Sequence, residues 1–425
     1  MKIHIANGHV IDPANRIDAP QDVFIAAGRI VAVGRAPDGF TANRTIDARG
    51  LIVAPGLIDL SARLREPGYE YKATLESELT AAVAGGITSL ACPPDTEPPL
   101  DEPGLVEMLK HRARNLNLAH VYPHGALTIK LKGQTLTEMG ELAEAGCVAF
   151  SQANTHVQNT QVLLRALQYA ATFGHSVWLQ PQDGYLAGEG VAHDGEVASR
   201  LGLAGIPVLA ETVAISSMLQ LVRATGVRLH FARISSAAGL ALIDEARARG
   251  IAVTCDVSVN HLHLCDVDIG YFNTHCRLQP PLRSHADRDA LRRALADGRI
   301  DAVCSDHTPV DDDAKQVPFG EAEAGATGLE LLLPLTLKWA QEMKLPLATA
   351  LARITSDAAR ILGIAAGNLT LGAAADVCIF DPRAPAPVSR ETLRSQGKNT
   401  PFLGLELAGW TRYTLTDGQL VFERR

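Results

Sequence analysis

The sequence contains no run of 18 apolar residues, so no stretch of it reads as a membrane-spanning helix. It also lacks an excess of positive charge. Its 39 lysines and arginines stand against 47 aspartates and glutamates, a formal net charge of −8, and the basic residues are scattered without forming a stripe. That balance argues against nucleic acid or an anionic membrane as partner. An even set of cysteines is missing too. The seven, at positions 92, 147, 255, 265, 276, 304 and 378, sit mostly in apolar runs such as Asp301-Ala-Val-Cys304 and read as reduced, buried small hydrophobes. The opening Met1-Lys-Ile-His-Ile alternates as a strand does, where a leader would be continuously apolar. The expectation is a cytoplasmic protein with neither signal peptide nor membrane span.

What is present divides into three parts. Up to residue 55 the chain offers short alternating runs, Lys2–Ala6, Asp22–Ala26, Arg29–Val33 and Leu51–Ala54, between Asn-Gly, Asp-Pro and Ala-Gly turn signals. They predict an antiparallel meander. The tail repeats the style in Asp376–Phe380, Trp410–Thr414 and Gln419–Phe422, so segments 1–55 and 365–425 are expected to form one small composite β-sandwich. Between them, residues 56–364 alternate strand-like runs with amphipathic helices that end at glycine. Glu76–Ala84 stops before Gly85, Leu136–Ala145 before Gly146, Asn159–Phe173 before Gly174 and Leu240–Arg249 before Gly250. Eight strands are expected near 57–63, 87–92, 119–124, 147–151, 176–180, 227–233, 251–256 and 300–305, which predicts an α/β fold, a TIM-type (β/α)8 barrel. Chemistry in such a barrel gathers at the C-terminal ends of the strands.

Several segments carry a resemblance. Leu64-Arg65-Glu-Pro-Gly68, Gly85-Gly-Ile-Thr-Ser89, Pro94-Asp-Thr-Glu-Pro98, the run Arg200–Glu211, Pro280-Pro-Leu-Arg283, Ser305-Asp-His-Thr-Pro309, Gly328-Leu-Glu330 and Gly397–Gly404 follow, in number and order, the pattern of the dihydroorotases. The chain resembles these cyclic amidases of pyrimidine synthesis over nearly its whole length. The resemblance implies a metal site at the strand ends, and at those places this sequence has other residues. Residues two apart on a strand face the same way, so a His-x-His pair after the first strand can grip one cation; here the pair is Ser61 and Arg63. A hydroxyl is a poor ligand for such an ion, and a guanidinium repels it. The carboxylate after the fourth strand falls on Gln152, and the histidines after the fifth and sixth fall on Gln180 and Arg233. Only Asp306, after the eighth strand, survives. The reading is a dismantled site with no metal or other cofactor and no catalytic residue. Arg65 matches the family's substrate-carboxylate position, whereas Asp95 and Gln279 replace asparagines and Val310 replaces a histidine. Asp95 is expected to repel an anionic substrate.

Other constellations compete with this one. Asp306-His307 is a possible acid/base pair, although neighbours on a strand point opposite ways, and His307 reads better as a packed core residue. His261, His263, Cys265, His275 and Cys276 have spacing that could hold a metal, but no acidic partner accompanies them. Ser235, Ser236 and Ser61 supply hydroxyls without a Ser-His-Asp order. Arg63, Arg233 or both are expected to occupy the vacated metal position and pair with Asp306. The resemblance then implies a noncatalytic chain that assembles with aspartate carbamoyltransferase as a hetero-oligomer. The alternatives are an active cyclic amidohydrolase with a rebuilt or metal-independent site that uses Asp306, His261, His263, Gln152 and Gln180, and a sensor of an anionic metabolite.

Overall fold

The computed structural model describes residues 1–424. Eight parallel strands form its centre: β1 (Leu57–Asp59), β2 (Ile87–Cys92), β3 (His120–Ala126), β4 (Ala149–Ser151), β5 (Ser176–Leu179), β6 (Arg228–Phe231), β7 (Val253–Ser258) and β8 (Ala302–Cys304). Each lies within a residue or two of its expected place, except that β1 ends at Asp59 and not near 63. Beyond that point the chain leaves the regular ladder and closes the barrel instead. Ala62 bridges His307 in parallel, with Arg63 N donating to His307 O at 2.9 Å and His307 N to Ser61 O at 3.0 Å. The two segments richest in candidate site residues are therefore also the seam of the barrel.

Helices cover the barrel for reasons visible in the sequence. In the helix Leu75–Ala84, Thr74 and Ser77 form a reciprocal capping box, and Leu75, Leu79, Ala82 and Val83 are buried beneath it. It stops at Gly85-Gly86 on steric grounds: a Cβ on Gly85 would stand 2.4 Å from the Leu329 carbonyl oxygen, and Gly86 has φ +84°. All seven cysteines are buried and unpaired, and burial pushes thiols such as Cys92 and Cys255 up to about 12.

The flanking β-sandwich corrects the expected meander. One sheet has the order Arg29–Val33, Val23–Ala26, Lys2–Ala6, Arg44–Asp47; the other runs Gln419–Glu423, Thr411–Thr416, Val377–Phe380, Ile52–Pro55, His9–Asp12, Ile17–Pro20. Two of the N-terminal pairings are parallel, Lys2–Ala6 with Arg44–Asp47 and His9–Asp12 with Ile52–Pro55. The N-terminal segment thus contributes to both sheets, and the C-terminal strands complete only the second. Ile3, Ile5, Ile25 and Ile30 from the first sheet pack on Val53, Val377, Ile379 and Leu415 from the second.

The recurring signature residues prove to be braces. Glu211 accepts hydrogen bonds from the backbone N–H and hydroxyl of both Ser235 and Ser236, and Arg283 donates to Ser235 Oγ at 3.1 Å and to Ile206 O at 2.6 Å. Asp59 takes the N–H and hydroxyl of Ser305 across the seam. Glu330 takes the N–H groups of Arg394 and Ser395, and Asn399 bonds Val310 N, Thr308 O and Gly325 O. Buried donors stripped of an acceptor cost far more than an average hydrogen bond. Glu211→Ala, which orphans four donors and the charge of Arg283, is expected to lower unfolding free energy by about 3 kcal/mol or more in urea titration. A loss below about 1 kcal/mol, the worth of one ordinary hydrogen bond, contradicts the bracing role.

Candidate functional site

At the C-terminal mouth of the barrel the strand ends bring Arg63, Asp95, Asn154, Arg233 and Asp306 into one buried network. Asp306 Oδ1 accepts from Arg233 Nη1 at 2.8 Å and from Arg63 Nη1 at 3.4 Å. Asn154 Oδ1 accepts from the other ends of the same two guanidiniums, Arg233 Nη2 at 2.7 Å and Arg63 Nη2 at 2.9 Å. Arg63 is completed by Thr308 Oγ1 at 3.0 Å and by Asp95 Oδ2, which accepts from its Nε at 2.7 Å. Asp306, Arg63 and Arg233 are 6%, 4% and 3% exposed, so their charges compensate one another at close range.

Electrostatics follow from that geometry. Burial pushes the Asp95 carboxyl up, but Arg63, with Arg65 behind it, outweighs this and holds it below the usual carboxylate range. Asp95 is accordingly an ion-pair partner of Arg63, which corrects the expectation that its charge opposes an anion: the arginine already takes it up. Arg65 donates its Nε to Pro309 O at 2.8 Å and stands 5.9 Å from the Tyr69 ring centre. Burial and the neighbouring Arg63 charge lower its pKa. Three guanidiniums and two carboxylates leave this cluster one positive charge in excess.

The remaining predicted positions separate. Ser61 is buried on the seam. Gln152 turns to Thr128, donating Nε2 to Oγ1 at 2.8 Å, and the Gln180 Oε1 acceptor is buried without a partner. Gln279 Nε2 reaches Asn154 O at 3.4 Å, and Val310 is buried with its N–H on Asn399. His307 points away from Asp306: its Nε2 meets Glu78 Oε2 at 2.7 Å and its Nδ1 accepts from Gly328 N. The histidine and cysteine set does not converge. His261 Nε2 bonds Pro281 O, His263 Nε2 bonds Leu335 O, Cys265 lies against Asp268 and His285, and Cys276 bonds Asp268 O, while His275 holds its backbone N–H on Asn273. Ser235 and Ser236 both give their hydroxyls to the Glu211 carboxylate, and neither bonds a histidine, so no Ser-His pair forms. Asn154 is the member that sequence reasoning passed over. Its one signal is its place, just past the end of β4.

Backbone strain marks the same place. Ala153, Arg233 and Asp306, each two residues past a strand end, and Arg65, in the segment that follows the seam, are non-glycine residues with φ of +51°, +58°, +50° and +63°. Each left-handed residue costs on the order of 1 kcal/mol and persists where its surroundings dictate it. The donor set does not fit a divalent ion. A zinc-type centre needs three or four imidazole, thiolate or carboxylate ligands, whereas this position offers one carboxylate whose Oδ1 is held by two permanent cations.

Both halves of the chain align with known families, residues 50–238 with Dihydro-orotase-like and residues 188–422 with the Amidohydrolase family. The solved structure of an L-hydantoinase from Arthrobacter aurescens covers 99% of this chain and 96% of its own with a TM-score of 0.88; at 24% identity the likeness is one of fold, an amidohydrolase-type barrel with its sandwich. Relatives in sequence narrow the class. A dihydroorotase-like protein of Pseudomonas aeruginosa is 48% identical over the full length of both chains, one of Pseudomonas putida is 48% identical over 99% of both, and a dihydroorotase of Geotalea daltonii is 42% identical over all of both. The chain belongs to the dihydroorotase-like proteins of the amidohydrolase superfamily.

Two outcomes test the site. Asp306→Ala leaves two buried guanidiniums without their shared carboxylate and is expected to cost about 3–5 kcal/mol in denaturant unfolding. His261, lowered from 6.5 to about 4 chiefly by burial, stays neutral in the fold while the unfolded chain takes up its proton, so stability falls as pH drops from 6.5 towards 4. His261→Gln removes that titration, and its urea midpoint should fall less than the native chain's between pH 7.5 and about 5.

Proposed function

We propose that this chain is a noncatalytic dihydroorotase-like subunit that assembles with and supports aspartate carbamoyltransferase in pyrimidine biosynthesis. The observation that carries the reading is the Arg63–Asp306–Arg233 triad closed by Asn154: the place a family member would give to its metal is held by guanidinium groups. A hydrolytic site of this type activates water and polarises a carbonyl through a metal, and no residue here takes over both tasks. His307 has both ring nitrogens engaged, by Glu78 and Gly328 N, while His261 donates Nε2 to Pro281 O and burial, which lowers its pKa to about 4, leaves its free Nδ1 a weak base. The braces that hold the barrel are intact, as a docking subunit requires. The identity of the partner rests on the family resemblance.

A second reading has its own support. Relatives named dihydroorotase are 42% and 38% identical over the whole chain, which favours an active cyclic amidohydrolase with a rebuilt or metal-independent site. The surplus positive charge at Arg65 likewise suits a sensor of an anionic metabolite. Turnover separates the first two. The purified chain is expected to show no conversion of dihydroorotate or carbamoyl aspartate above background, and to co-elute with aspartate carbamoyltransferase on size-exclusion chromatography after co-expression. The double variant Ser61→His/Arg63→His should remain inactive, because Gln152, Gln180 and Arg233 still stand at the other ligand positions. Measurable turnover by the native chain, or separate elution with transferase activity indifferent to this chain, overturns the proposal.

A further inference from the structure

A different group of side chains meets at the opposite end of the barrel. His120 is the first residue of β3, Asp376 immediately precedes the strand Val377–Phe380, and Asp417 sits in the turn between Thr411–Thr416 and Gln419–Glu423. Among the described residues, this is the one set of three or more histidine, cysteine or acidic side chains whose ligand atoms all lie within 4.8 Å of one another. His120 Nε2 stands 3.6 Å from Asp376 Oδ2 and 3.5 Å from Asp417 Oδ2. Those separations are long for a charge-assisted hydrogen bond, which closes to about 2.7–2.9 Å. They match the edge of a tetrahedron whose corners lie about 2.0–2.1 Å from a central zinc ion, roughly 3.3–3.4 Å.

Independent features aim the atoms inward. Asp376 is 6% exposed, and its Oδ1 is engaged by Asp417 N at 2.8 Å, which fixes the carboxylate and leaves Oδ2 pointing at His120 with no hydrogen-bond donor of its own. The same bond locks the turn that carries Asp417, whose φ of +49° is set by its place before Gly418. His120 Nε2 likewise has no hydrogen-bond partner at normal distance. Two carboxylates thus share one imidazole, and a divalent cation would balance their charge.

We propose that His120, Asp376 and Asp417 bind a first-row divalent metal ion of the Zn2+ type, with water as fourth ligand, and that the ion ties the C-terminal hairpin of the sandwich to the barrel rim. One imidazole with two carboxylates suits zinc or cobalt; Ca2+ and Mg2+ favour all-oxygen shells with more ligands. The site is structural, lies apart from the Asp306 cluster and involves no change in covalent bonds.

The probe is Co2+ titrated into the purified full-length chain, followed by visible absorption, with Zn2+ competition and thermal unfolding. One equivalent is expected to bind with the intense d–d bands of a tetrahedral nitrogen/oxygen site, without sulfur charge-transfer bands, and Zn2+ should displace it and raise the unfolding midpoint. Asp417→Asn, which asparagine's tolerance of positive φ makes harmless to the turn, and His120→Gln should each weaken binding about tenfold or more and abolish the thermal shift. Circular dichroism confirms that both variants are folded. Absence of saturable binding, sulfur bands, or binding undiminished in both folded variants overturns the proposal, and leaves the three residues as an ion-pair cluster alone.

Discussion

One buried carboxylate sets the terms for the mouth of this barrel. Asp306 lies just past β8 at the seam where the sheet closes, only 6% exposed, so its charge needs a partner there. Taking a carboxylate out of water is repaid only by close opposite charge with hydrogen bonds in good geometry. Arg63 and Arg233 supply both, and Asn154 holds the two planar groups in register by accepting from each. Asp95 then balances the second arginine charge. The members are interdependent, because removing any one strands a buried partner. Such a cluster tolerates concerted change far better than single change.

That interdependence explains which parts of the family pattern persist. Glu211, Arg283, Asp59, Glu330 and Asn399 each satisfy several buried backbone or hydroxyl groups. Their replacement would unfold the seam or its loops whatever the chain does chemically. Ser61, Gln152 and Gln180, by contrast, stand where a ligand's task would be chemical only: the seam bond at Ser61 uses its backbone O, which any residue supplies, and Gln152 bonds Thr128. Fold and chemistry are separable along the chain, and the dividing line runs between residues that satisfy backbone and residues that would satisfy a metal.

Much of this was legible beforehand. All eight barrel strands could be placed from apolar runs, and β2, β4, β5 and β7 also from the glycine-terminated helices before them, because period and cap signals are local. The arginines could be assigned to the site because strand ends in a barrel face its mouth. Asn154 could not, since nothing in its identity distinguishes it from a loop asparagine; only the convergence of two guanidiniums on its Oδ1 does. The sign of Asp95's effect was misread for the same reason: a charge opposes or supports an anion according to its partner, and Arg63 lies 32 positions away. In the sandwich, His9–Asp12 and Arg44–Asp47 are four-residue strands, and Ile46 is the only buried residue of the latter. Strands so short carry no readable alternation, so parallel pairings that split the segment between two sheets stayed hidden.

The strained backbone adds a final constraint. Ala153, Arg233 and Asp306, past three strand ends, and Arg65, after the seam, hold positive φ, and none is glycine. Were the mouth merely inert packing, relaxation of these residues would be favourable by about 1 kcal/mol each. What opposes relaxation is visible at two of them. The turn at Arg233 carries its guanidinium to Asp306 and gives its own N–H to Asp256, and the turn at Asp306 lets Ser305 reach Asp59 while His307 reaches Glu78 on the other side. A relaxed backbone would break several buried polar bonds to relieve one dihedral. The inward-turned geometry of an active-site rim is thereby kept by bracing alone, whether or not any reaction occurs there.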